Sequence, residues 1–375
     1  MKSNSFIKRI AILLSNLLSL LITSIYGIRK ADSFNNSILI INTEKLGDII
    51  LAVDFLLSLR NANRYLNYEL LIPEKFSSLF DWNELKYNPV TINKYKYRYN
   101  LLYRLNMIKH VRQKRYLRVI NITQERGMIN EELTLLSGAE NTTAMKGSSL
   151  YLPDIILERN NKHYTEILDS PYPNEYKRLS YYLEENNISP AANDKIFGDN
   201  TVSLNSINSH LKEKNYIIIA PMSSEMERSW GIDNYRQLAS LIKGEIVLIG
   251  NAEERQQLDS FPSAGENIIN LAGELSYNQI AFLIKNCLSF IGNDSGLTHM
   301  AHQLRAPLIA IIGGGKYGKF FPYKERRDAI FLFHLMDCFG CDWNCIHDKK
   351  YCLVNVTPES VYNKIISLKE QLNEN

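Results

Sequence analysis

The chain has 375 residues, of which 45% are hydrophobic and 22% charged, and its formal net charge is +3. These values are ordinary for a folded globular protein and exclude a chain that is mainly disordered. Because the length exceeds what one hydrophobic core usually supports, we expect two domains. Five cysteines in a chain of this length do not form the disulfide framework of a small secreted domain.

The first predicted element is a hydrophobic helix near the N-terminus. Between Arg9 and Arg29 the chain reads IAILLSNLLSLLITSIYGI, nineteen residues without a charge, which is about the length that spans a bilayer. One side of this helix carries the polar residues, which are Lys8, Ser15, Asn16, Ser19 and Thr23. Three alternatives remain open: a helix that lies in the membrane interface, a spanning anchor, and a helix that packs on the protein body. A cleaved signal peptide is disfavoured because no small-residue cleavage site follows the run.

Short β-rich runs and helical runs alternate after residue 36. SILIINT reads as a strand, GDIILAVDFLLSLRNA as a helix, and YELLIP and LRVINIT as later strands. A second alternating series runs from YIIIAP to APLIAIIG. Such alternation predicts parallel strands joined by right-handed crossovers. We place the boundary between two α/β domains in the polar stretch from Ser189 to Asn215, and we expect a ligand cleft between the domains.

The most distinctive stretch is IGNDSGLTHMAHQL, which begins at Ile291 and lies between two apolar runs. A strand that ends in Asn-Asp-Ser-Gly can present the N-terminus of the next helix, with its free N–H groups and positive dipole end, to the cleft. Gly296 lets backbone approach a ligand closely, and Thr298 and His299 fall in the first turn. This arrangement suits a diphosphate. Taken alone, it also fits an ordinary capped helix with His299 in the core.

Four motifs in chain order carry a resemblance to a known family. They are KLGDIILAVDFLLSLR, APMSSEMERSWGIDNYRQLASLI, LIGNAEERQ and FIGNDSGLTHMAHQLRAPLIAIIGG. Each follows or includes the end of a predicted strand, and as an ordered set they resemble the glycosyltransferase family 9 enzymes, the ADP-heptose:lipopolysaccharide heptosyltransferases. The resemblance extends from about Ile38 to Val361 and is strongest from Tyr216 to Gly315.

The resemblance implies an α/β protein of the GT-B fold, with two Rossmann-like, doubly wound domains facing a central cleft. After an extra N-terminal hydrophobic helix (1–35), we expect an acceptor-binding domain (36–205) and a nucleotide-sugar-binding domain (206–355). The last segment, 356–375, would form a helix that returns to the first domain. The donor would be an ADP-sugar, and the family inverts its anomeric centre.

The resemblance also implies roles for individual residues. Asp48 matches the catalytic base, and Arg228 stands where the family usually has a lysine. A carboxylate base, together with a cation and helix N–H groups at the departing diphosphate, supports transfer without a required metal or cofactor. Outside the family comparison, Asp48 also fits a helix-start charge and Arg228 a solvated surface charge. The predicted donor-binding residues are Ser223, Ser224, Trp230, Glu254, Asp294, Ser295, Gly296, Leu297, Thr298 and His299.

Three positions near the cleft depart from the family pattern. Asn42 stands for the usual arginine at the end of the first strand, Met222 for the glycine of a Pro-Gly turn, and Asp54 for a proline in the first helix. These departures leave the base and the diphosphate site in place. Because they border the cleft, they bear on which donor and acceptor bind there.

A basic, tyrosine-rich window lies in the first half of the chain. From Leu85 to Gln124 there is no acidic residue, whereas ten lysines and arginines and six tyrosines fall within it. We interpret it as a docking surface for a phosphorylated glycolipid acceptor or an anionic membrane face; nucleic acid is a rival ligand, and a solvated helix face is the simplest alternative. The predicted acceptor-binding residues are Lys94, Lys96, Arg98 and Arg104.

Four of the five cysteines cluster near the C-terminus, where family members also have a Cys-rich segment. A structural zinc site is one interpretation of this cluster, and reduced thiols or a local disulfide are the others. Cys287 reads as a core residue. The clustered cysteines are Cys338, Cys341, Cys345 and Cys352.

The sequence therefore predicts an inverting glycosyltransferase of the heptosyltransferase type. We expect it to act in the cytoplasm at the inner membrane face, on a lipopolysaccharide or lipooligosaccharide core acceptor, without binding nucleic acid. Two alternatives from other classes remain: a non-hydrolysing sugar-nucleotide epimerase, which needs no acceptor, and a non-catalytic module that binds anionic glycan or nucleic acid.

Overall fold

The computed structural model describes residues 2–147, 152–192, 196–197, 203–207, 211–261 and 268–373, with side chains from residue 14 onward in the first helix. The first half contains nine helices and six strands within this described part. Its strands are β1 (Asn35–Ile41), β2 (Asn67–Pro73), β3 (Asn88–Ile92), β4 (Tyr116–Asn121), β5 (Asn141–Met145) and β6 (Glu166–Leu168). Its helices are α1 (Lys2–Tyr26), α2 (Leu46–Leu51), α3 (Val53–Ala62), α4 (Trp82–Leu85), α5 (Lys94–Tyr99), α6 (Leu101–Gln113), α7 (Met128–Leu135), α8 (Asp154–Asn161) and α9 (Glu175–Glu185).

The second half repeats the alternation of strands and helices. Its strands are β7 (Tyr216–Ala220), β8 (Glu245–Leu248), β9 (Ile268–Asn270), β10 (Ser289–Asn293), β11 (Leu308–Ile311) and β12 (Ala329–Leu332). Its helices are α10 (Leu204–Ile207), α11 (Ile232–Leu241), α12 (Arg255–Leu258), α13 (Tyr277–Asn286), α14 (Gly296–Gln303), α15 (Tyr351–Val354) and α16 (Pro358–Asn373).

Each half is built around one parallel sheet, and the two sheets have the same topology. The strand order is β3-β2-β1-β4-β5-β6 in the first and, read in the equivalent direction, β9-β8-β7-β10-β11-β12 in the second. This is the Rossmann order, in which the chain reverses direction across the sheet between the first and fourth strands. Strands β7 and β10 are buried along their whole length because helices cover both faces. The predicted α/β class with two doubly wound sheets is confirmed.

The predicted domain boundary falls where the described residues are interrupted. Residues 193–195, 198–202 and 208–210 lie outside the described part, and α10 crosses the predicted division between residues 205 and 206. The boundary at this residue therefore stays a prediction.

Helix α1 packs on the first sheet domain, and its polar side faces inward. Ser15, Ile22 and Thr23 are buried, and Ser19 donates a hydrogen bond to the carboxylate of Glu132 on α7. These contacts show that α1 packs on the protein body, and this packing is compatible with an outward face that lies in the membrane interface. Within the described residues, no helix combines the length and the apolar character needed to cross a membrane.

The C-terminal helix α16 lies on the second domain, which differs from the predicted return to the first. Its apolar side chains Val361, Ile365 and Leu368 recur at helical spacing and pack in a core shared with Tyr235 and Leu238 of α11. The helix also contacts β11. It docks there because α11 offers an apolar face that matches its own.

Candidate active site

A cleft of 490 Å³ opens between the two sheets, at the carboxyl ends of β1 and β10. Both strands lie at the point where the strand order of their sheet reverses, which is where open α/β sheets bind ligands. The cleft is lined from both domains, and it brings together residues that are far apart in the chain. Ten of the predicted site residues line it: Asp48, Ser223, Ser224, Arg228, Glu254, Asp294, Ser295, Gly296, Leu297 and His299.

Helix α2 of the first domain packs directly against α14 of the second. A Cβ atom added to Gly47 would lie 2.9 Å from Cδ2 of His299, and one added to Gly296 would lie 2.8 Å from Cβ of Leu46. Real side chains do not tolerate such distances without displacement of a neighbour. Glycine at both positions therefore allows the two helix starts to approach each other at the floor of the cleft.

Asp48 lies in the first turn of α2, immediately after the loop that follows β1. Asp48 lines the cleft and is half-buried as a residue. Desolvation, and next the negative charge of Glu175, raise the pKa of Asp48 to about 6 against the opposing charge of Arg228. A carboxylate with this pKa is a stronger base than an ordinary aspartate and is still mostly ionised at neutral pH.

Arg228 is held over the cleft by two carboxylates and an aromatic ring. Its Nε donates to Oε2 of Glu225 at 2.9 Å, and its NH1 lies 3.3 Å from Oδ2 of Asp294. The guanidinium carbon is 5.1 Å from the centroid of the Phe320 ring. Only 13% of the side chain is exposed, so Arg228 is a positioned cation in a protected site rather than a solvated surface charge.

Asp294 and His299 form a buried polar pair beside Arg228. Nε2 of His299 lies 3.5 Å from Oδ1 of Asp294, Nδ1 lies 3.2 Å from the Tyr323 hydroxyl, and the ring stacks on Phe321 at 4.0 Å between centroids. Burial would raise the pKa of Asp294, but the hydrogen bond from His299 and the charge of Arg228 lower it below its usual value. Burial lowers the pKa of His299, and the neighbouring Asp294 opposes this shift.

The start of α14 is open toward the cleft. Its N-cap residue, Ser295, makes no side-chain hydrogen bond to the first-turn amides, and Gly296 and Leu297 both line the cleft. Thr298 turns away and donates to the carbonyl of Asn293. The unsatisfied amides and the positive end of the helix dipole therefore face the space where an anionic group would sit.

One end of the cleft is formed by the turns after β8 and β9. Glu254 lies there and closes a capping box, because its Oε2 accepts from the backbone N–H of Asn251 at 2.8 Å. Gly273 has φ of +76°, and a Cβ atom there would lie 2.6 Å from Cα of Ala252. This close approach of two turns shapes a narrow slot, in which the capping box fixes the Glu254 carboxylate.

Two predicted donor-binding residues lie beneath the cleft rather than in its lining. Trp230 is 3% exposed because its ring packs edge-on against Tyr235 in the core of the second domain. Its indole N–H donates to the carbonyl of Val356 at 2.6 Å. Thr298 is fully buried under the start of α14. Both residues support the cleft walls, and neither is part of the lining, so their donor-binding roles stay predictions.

The predicted acceptor residues are only partly on the surface. Arg104 is fully buried and pairs with Glu132, so its assignment to acceptor binding is wrong. Lys94 donates to the carbonyl of Thr43 at 2.6 Å and so holds the loop that precedes Asp48. Lys96 is exposed and Arg98 is half-buried, and both lie on α5.

The three departures from the family pattern have different structural roles. Asn42 accepts from the N–H of Glu44 at 3.3 Å and so shapes the loop before Asp48, and Met222 lines the cleft. Asp54 accepts from Nε2 of Gln303 at 2.8 Å and pairs with Lys324, both in the second domain. In place of proline, this aspartate therefore joins the two halves.

The clustered cysteines do not form a metal site in the structure. Cys338, Cys341, Cys345 and Cys352 are all free thiols, and the described residues contain no group of three potential ligands that could hold a metal ion. The zinc interpretation and the local disulfide are therefore both unsupported. Cys287 is fully buried, as the sequence predicted.

Sequence reasoning missed several residues that line the cleft. Most of them follow the carboxyl end of a strand, which is a signal that the strand pattern contained, whereas Phe320 reaches the cleft from a distant loop. Glu44 was also missed; burial, and next the charge of Asp48, raise its pKa to about 7. The missed lining residues are Lys45, Leu46, Gly47, Lys75, Phe76, Gly250, Asn251, Gly273, Leu275, Tyr277, Ile280 and Phe320.

Two Rossmann-like sheets facing one cleft, with a carboxylate from the first and an open helix start from the second, define a GT-B architecture of the glycosyltransferase type. The profile of glycosyltransferase family 9 (heptosyltransferase) matches residues 151–344, just over half of the chain. The chain belongs to this family.

Comparisons with individual proteins agree with the family. Lipooligosaccharide heptosyltransferase 2 of Haemophilus influenzae is 32% identical over 151 residues, which cover 38% of this chain and 43% of that protein, so the match spans less than half the relative's length. The glycosyl transferase family 9 protein from Veillonella parvula covers 92% of this chain and 100% of its own, with a TM-score of 0.73 and 16% identity. The Escherichia coli ADP-heptose LPS heptosyltransferase II covers 90% and 99%, with a TM-score of 0.68 and 19% identity. At these identities the structural matches concern the fold.

Proposed function

We propose that the protein transfers heptose, or a related sugar, from an ADP-sugar to the core of a lipopolysaccharide or lipooligosaccharide acceptor, with inversion at the anomeric carbon. The observation that carries the proposal is that Asp48 and the open start of α14 line one cleft from opposite domains. The family, and relatives named as heptosyltransferases, support the sugar and acceptor classes. They also favour a transferase over the epimerase and binding-module alternatives.

The proposed reaction is a single displacement. An acceptor hydroxyl attacks the anomeric carbon while Asp48 takes its proton, and the bond from that carbon to the β-phosphate oxygen breaks, releasing ADP. Negative charge builds on the departing diphosphate, where Arg228 and the amides of Gly296 and Leu297 would stabilise it. Buried between two carboxylates, Arg228 is already oriented before the substrate arrives, so little reorganisation accompanies bond breaking. In this scheme the chain's own residues supply the base and the charge stabilisation.

We assign the nucleoside of the donor to the slot at the second-domain end of the cleft. Leu275, Tyr277 and Ile280 supply apolar lining to the cleft, and Glu254 lines it with a carboxylate fixed by its capping box. A planar base buried against apolar side chains and a ribose hydroxyl donating to a carboxylate would satisfy both surfaces. Ser223 and Ser224 also line the cleft, and would hydrogen-bond phosphate oxygens.

The acceptor would enter from the first domain. Lys45 and Lys75 line the cleft on that side, with Lys96 and Arg98 on the neighbouring α5, and such cations suit the phosphate groups of an inner-core glycolipid. A glycolipid acceptor is held in a bilayer, so we place the enzyme at the cytoplasmic face of the inner membrane.

The test replaces the proposed base without changing its size. Purified Asp48→Asn protein is compared with wild type and with Asp337→Asn, an exposed carboxylate outside the cleft. ADP release is measured with ADP-heptose and core glycolipid, and donor binding is measured by calorimetry. We expect turnover to fall by about 10²-fold or more while donor affinity changes little. Near wild-type turnover of Asp48→Asn would remove Asp48 as the base, and mass spectra of the glycolipid without an added heptose would refute the transfer itself.

A further inference from the structure

We propose that the outward face of α1 and a basic groove at its C-terminal end form one docking surface for an anionic phospholipid bilayer, on which the helix lies flat. The inference gives the membrane location proposed above a structural basis. Its test uses neither donor nor acceptor, so a failure here would leave the transfer reaction standing.

The outward face of α1 carries an apolar stripe, which is unusual for a surface helix of a soluble protein. Leu14, Leu17, Leu21 and Ile25 are 60%, 53%, 56% and 72% exposed, and their spacing of three or four residues puts them on one side of the helix. An ordinary surface helix hides such a stripe and exposes its polar side. Here the apolar stripe faces out along about 17 Å of helix, at 1.5 Å per residue.

The inward orientation of the polar side is held by specific hydrogen bonds. Ser19 donates to the Glu132 carboxylate, and the carbonyl of Ser15 accepts from NH1 and NH2 of Arg104, each at 3.4 Å. Arg104 and Glu132 are themselves paired and buried, with Nε of Arg104 2.7 Å from Oε1 of Glu132. Rotating α1 to bury its leucines would remove the hydrogen bonds that Ser15 and Ser19 make to this buried ion pair. The fold therefore fixes the leucines on the outward face.

The charge next to the stripe matches an anionic surface. A groove begins at Tyr26, where α1 ends, and it is lined by five cations and one acid. The acid is Asp32, and its neighbour Ala31 is fixed by a hydrogen bond to the carbonyl of Gly138 at 2.8 Å. An apolar stripe bordered by cations is the pattern with which interfacial helices bind anionic lipid. The cations are Arg29, Lys30, Lys109, Arg112 and Arg115.

Further apolar side chains are exposed close to the same helix. Ser15 donates to the carbonyl of Arg98 at 3.4 Å, which places the end of α5 against α1. The residues that follow include Tyr99, Leu101 and Leu102, and these are 47%, 49% and 70% exposed. They lie in the tyrosine-rich window beside the acceptor side of the site, so a membrane bound at α1 would present its lipids near that side.

The experiment measures partition of the full chain onto vesicles. Wild type, Leu17→Glu/Leu21→Glu and the control Leu335→Glu are sedimented with vesicles of phosphatidylethanolamine and phosphatidylglycerol. Leu335 is 71% exposed and lies in the second domain, so its variant matches the loss of an exposed leucine away from α1. We expect the double variant to bind at least about tenfold more weakly, and the control to bind as wild type does.

A second pair of variants tests the charge. Lys30→Gln/Lys109→Gln should bind vesicles with phosphatidylglycerol at least about tenfold more weakly, with a reduced salt dependence, because two of the five groove cations are removed. Lys364→Gln/Lys369→Gln on α16 should bind as wild type does. Far-UV circular dichroism shows whether each variant is folded. Equal binding by wild type and both test variants would overturn the proposal. So would a wild-type dimer that the leucine substitutions convert to a monomer, with no vesicle binding, because the occupant of the stripe would then be a second copy of the chain.

Discussion

The raised pKa of Asp48 predicts a pH dependence that an ordinary aspartate would not show. The base must be ionised to accept a proton, so kcat/KM should fall as pH drops through the pKa of Asp48, which is about 6. About nine-tenths of the carboxyl is ionised at pH 7 and about one-tenth at pH 5, so kcat/KM should fall about tenfold between them. At the usual value of 3.8, less than about a tenth of the activity would be lost over the same range.

The assay follows initial ADP release with donor below its KM, from about pH 5 to about pH 8, with intrinsic fluorescence as a check that the protein stays folded. Two variants test whether the acidic limb of the pH profile, the fall in kcat/KM at low pH, belongs to Asp48. Glu175→Gln removes the largest charge effect that raises the pKa, so the midpoint should move to lower pH. Glu44→Gln removes the other carboxyl of this loop with a raised pKa, and the limb should remain.

Three results would contradict this reasoning in whole or in part. A flat profile down to about pH 5 in a folded protein would mean that Asp48 has an ordinary pKa or is not the base. Loss of the acidic limb in Glu44→Gln would identify Glu44 as the titrating group. An unchanged midpoint in Glu175→Gln would show that desolvation alone sets the pKa.

Two further predictions concern packing. Gly47→Ala should lower kcat/KM on the order of 10–100-fold, because a Cβ atom there would lie 2.9 Å from His299 and would push α2 away from α14. The control is Gly244→Ala, which should leave kcat/KM unchanged because a Cβ atom at Gly244 would have no atom within 4 Å. Equal activity of the two variants would show that the helix starts need not approach so closely. Arg104→Met should lower the free energy of unfolding in urea by about 3–5 kcal/mol, because Glu132 is left buried and unpaired, whereas Lys146→Met at an exposed ion pair should cost less than about 1 kcal/mol. A small loss in Arg104→Met would show that Glu132 becomes protonated or finds water.

The positions of several cleft residues followed from local pattern. Runs of apolar residues separated by helical segments implied parallel strands, and parallel strands place all their carboxyl ends on one edge. Asp48 after β1 and Asp294 after β10 were therefore expected in the cleft, and both line it. The turn residues Gly250 and Asn251 were predictable by the same rule.

Residues whose burial depends on a distant partner were not predictable in this way. Arg104 reads as one more cation in a basic window, and only the carboxylate of Glu132 on another helix makes it a core residue. Trp230 belongs to a core completed from the C-terminal end of the chain, and Asp54 joins Gln303 across the domains. A polar side chain is buried and paired, or exposed to water, according to the residue that lies opposite it in the fold. The spacing of residues along the chain does not specify that residue.

For α1, the sequence alone determined that one side is polar and the other apolar, because helical periodicity sorts the residues by face. Which side faces the protein was decided by tertiary structure. Ser15 and Ser19 meet a buried arginine and glutamate there, so the hydrogen-bonding demand of a buried ion pair outweighs the burial of Leu17 and Leu21.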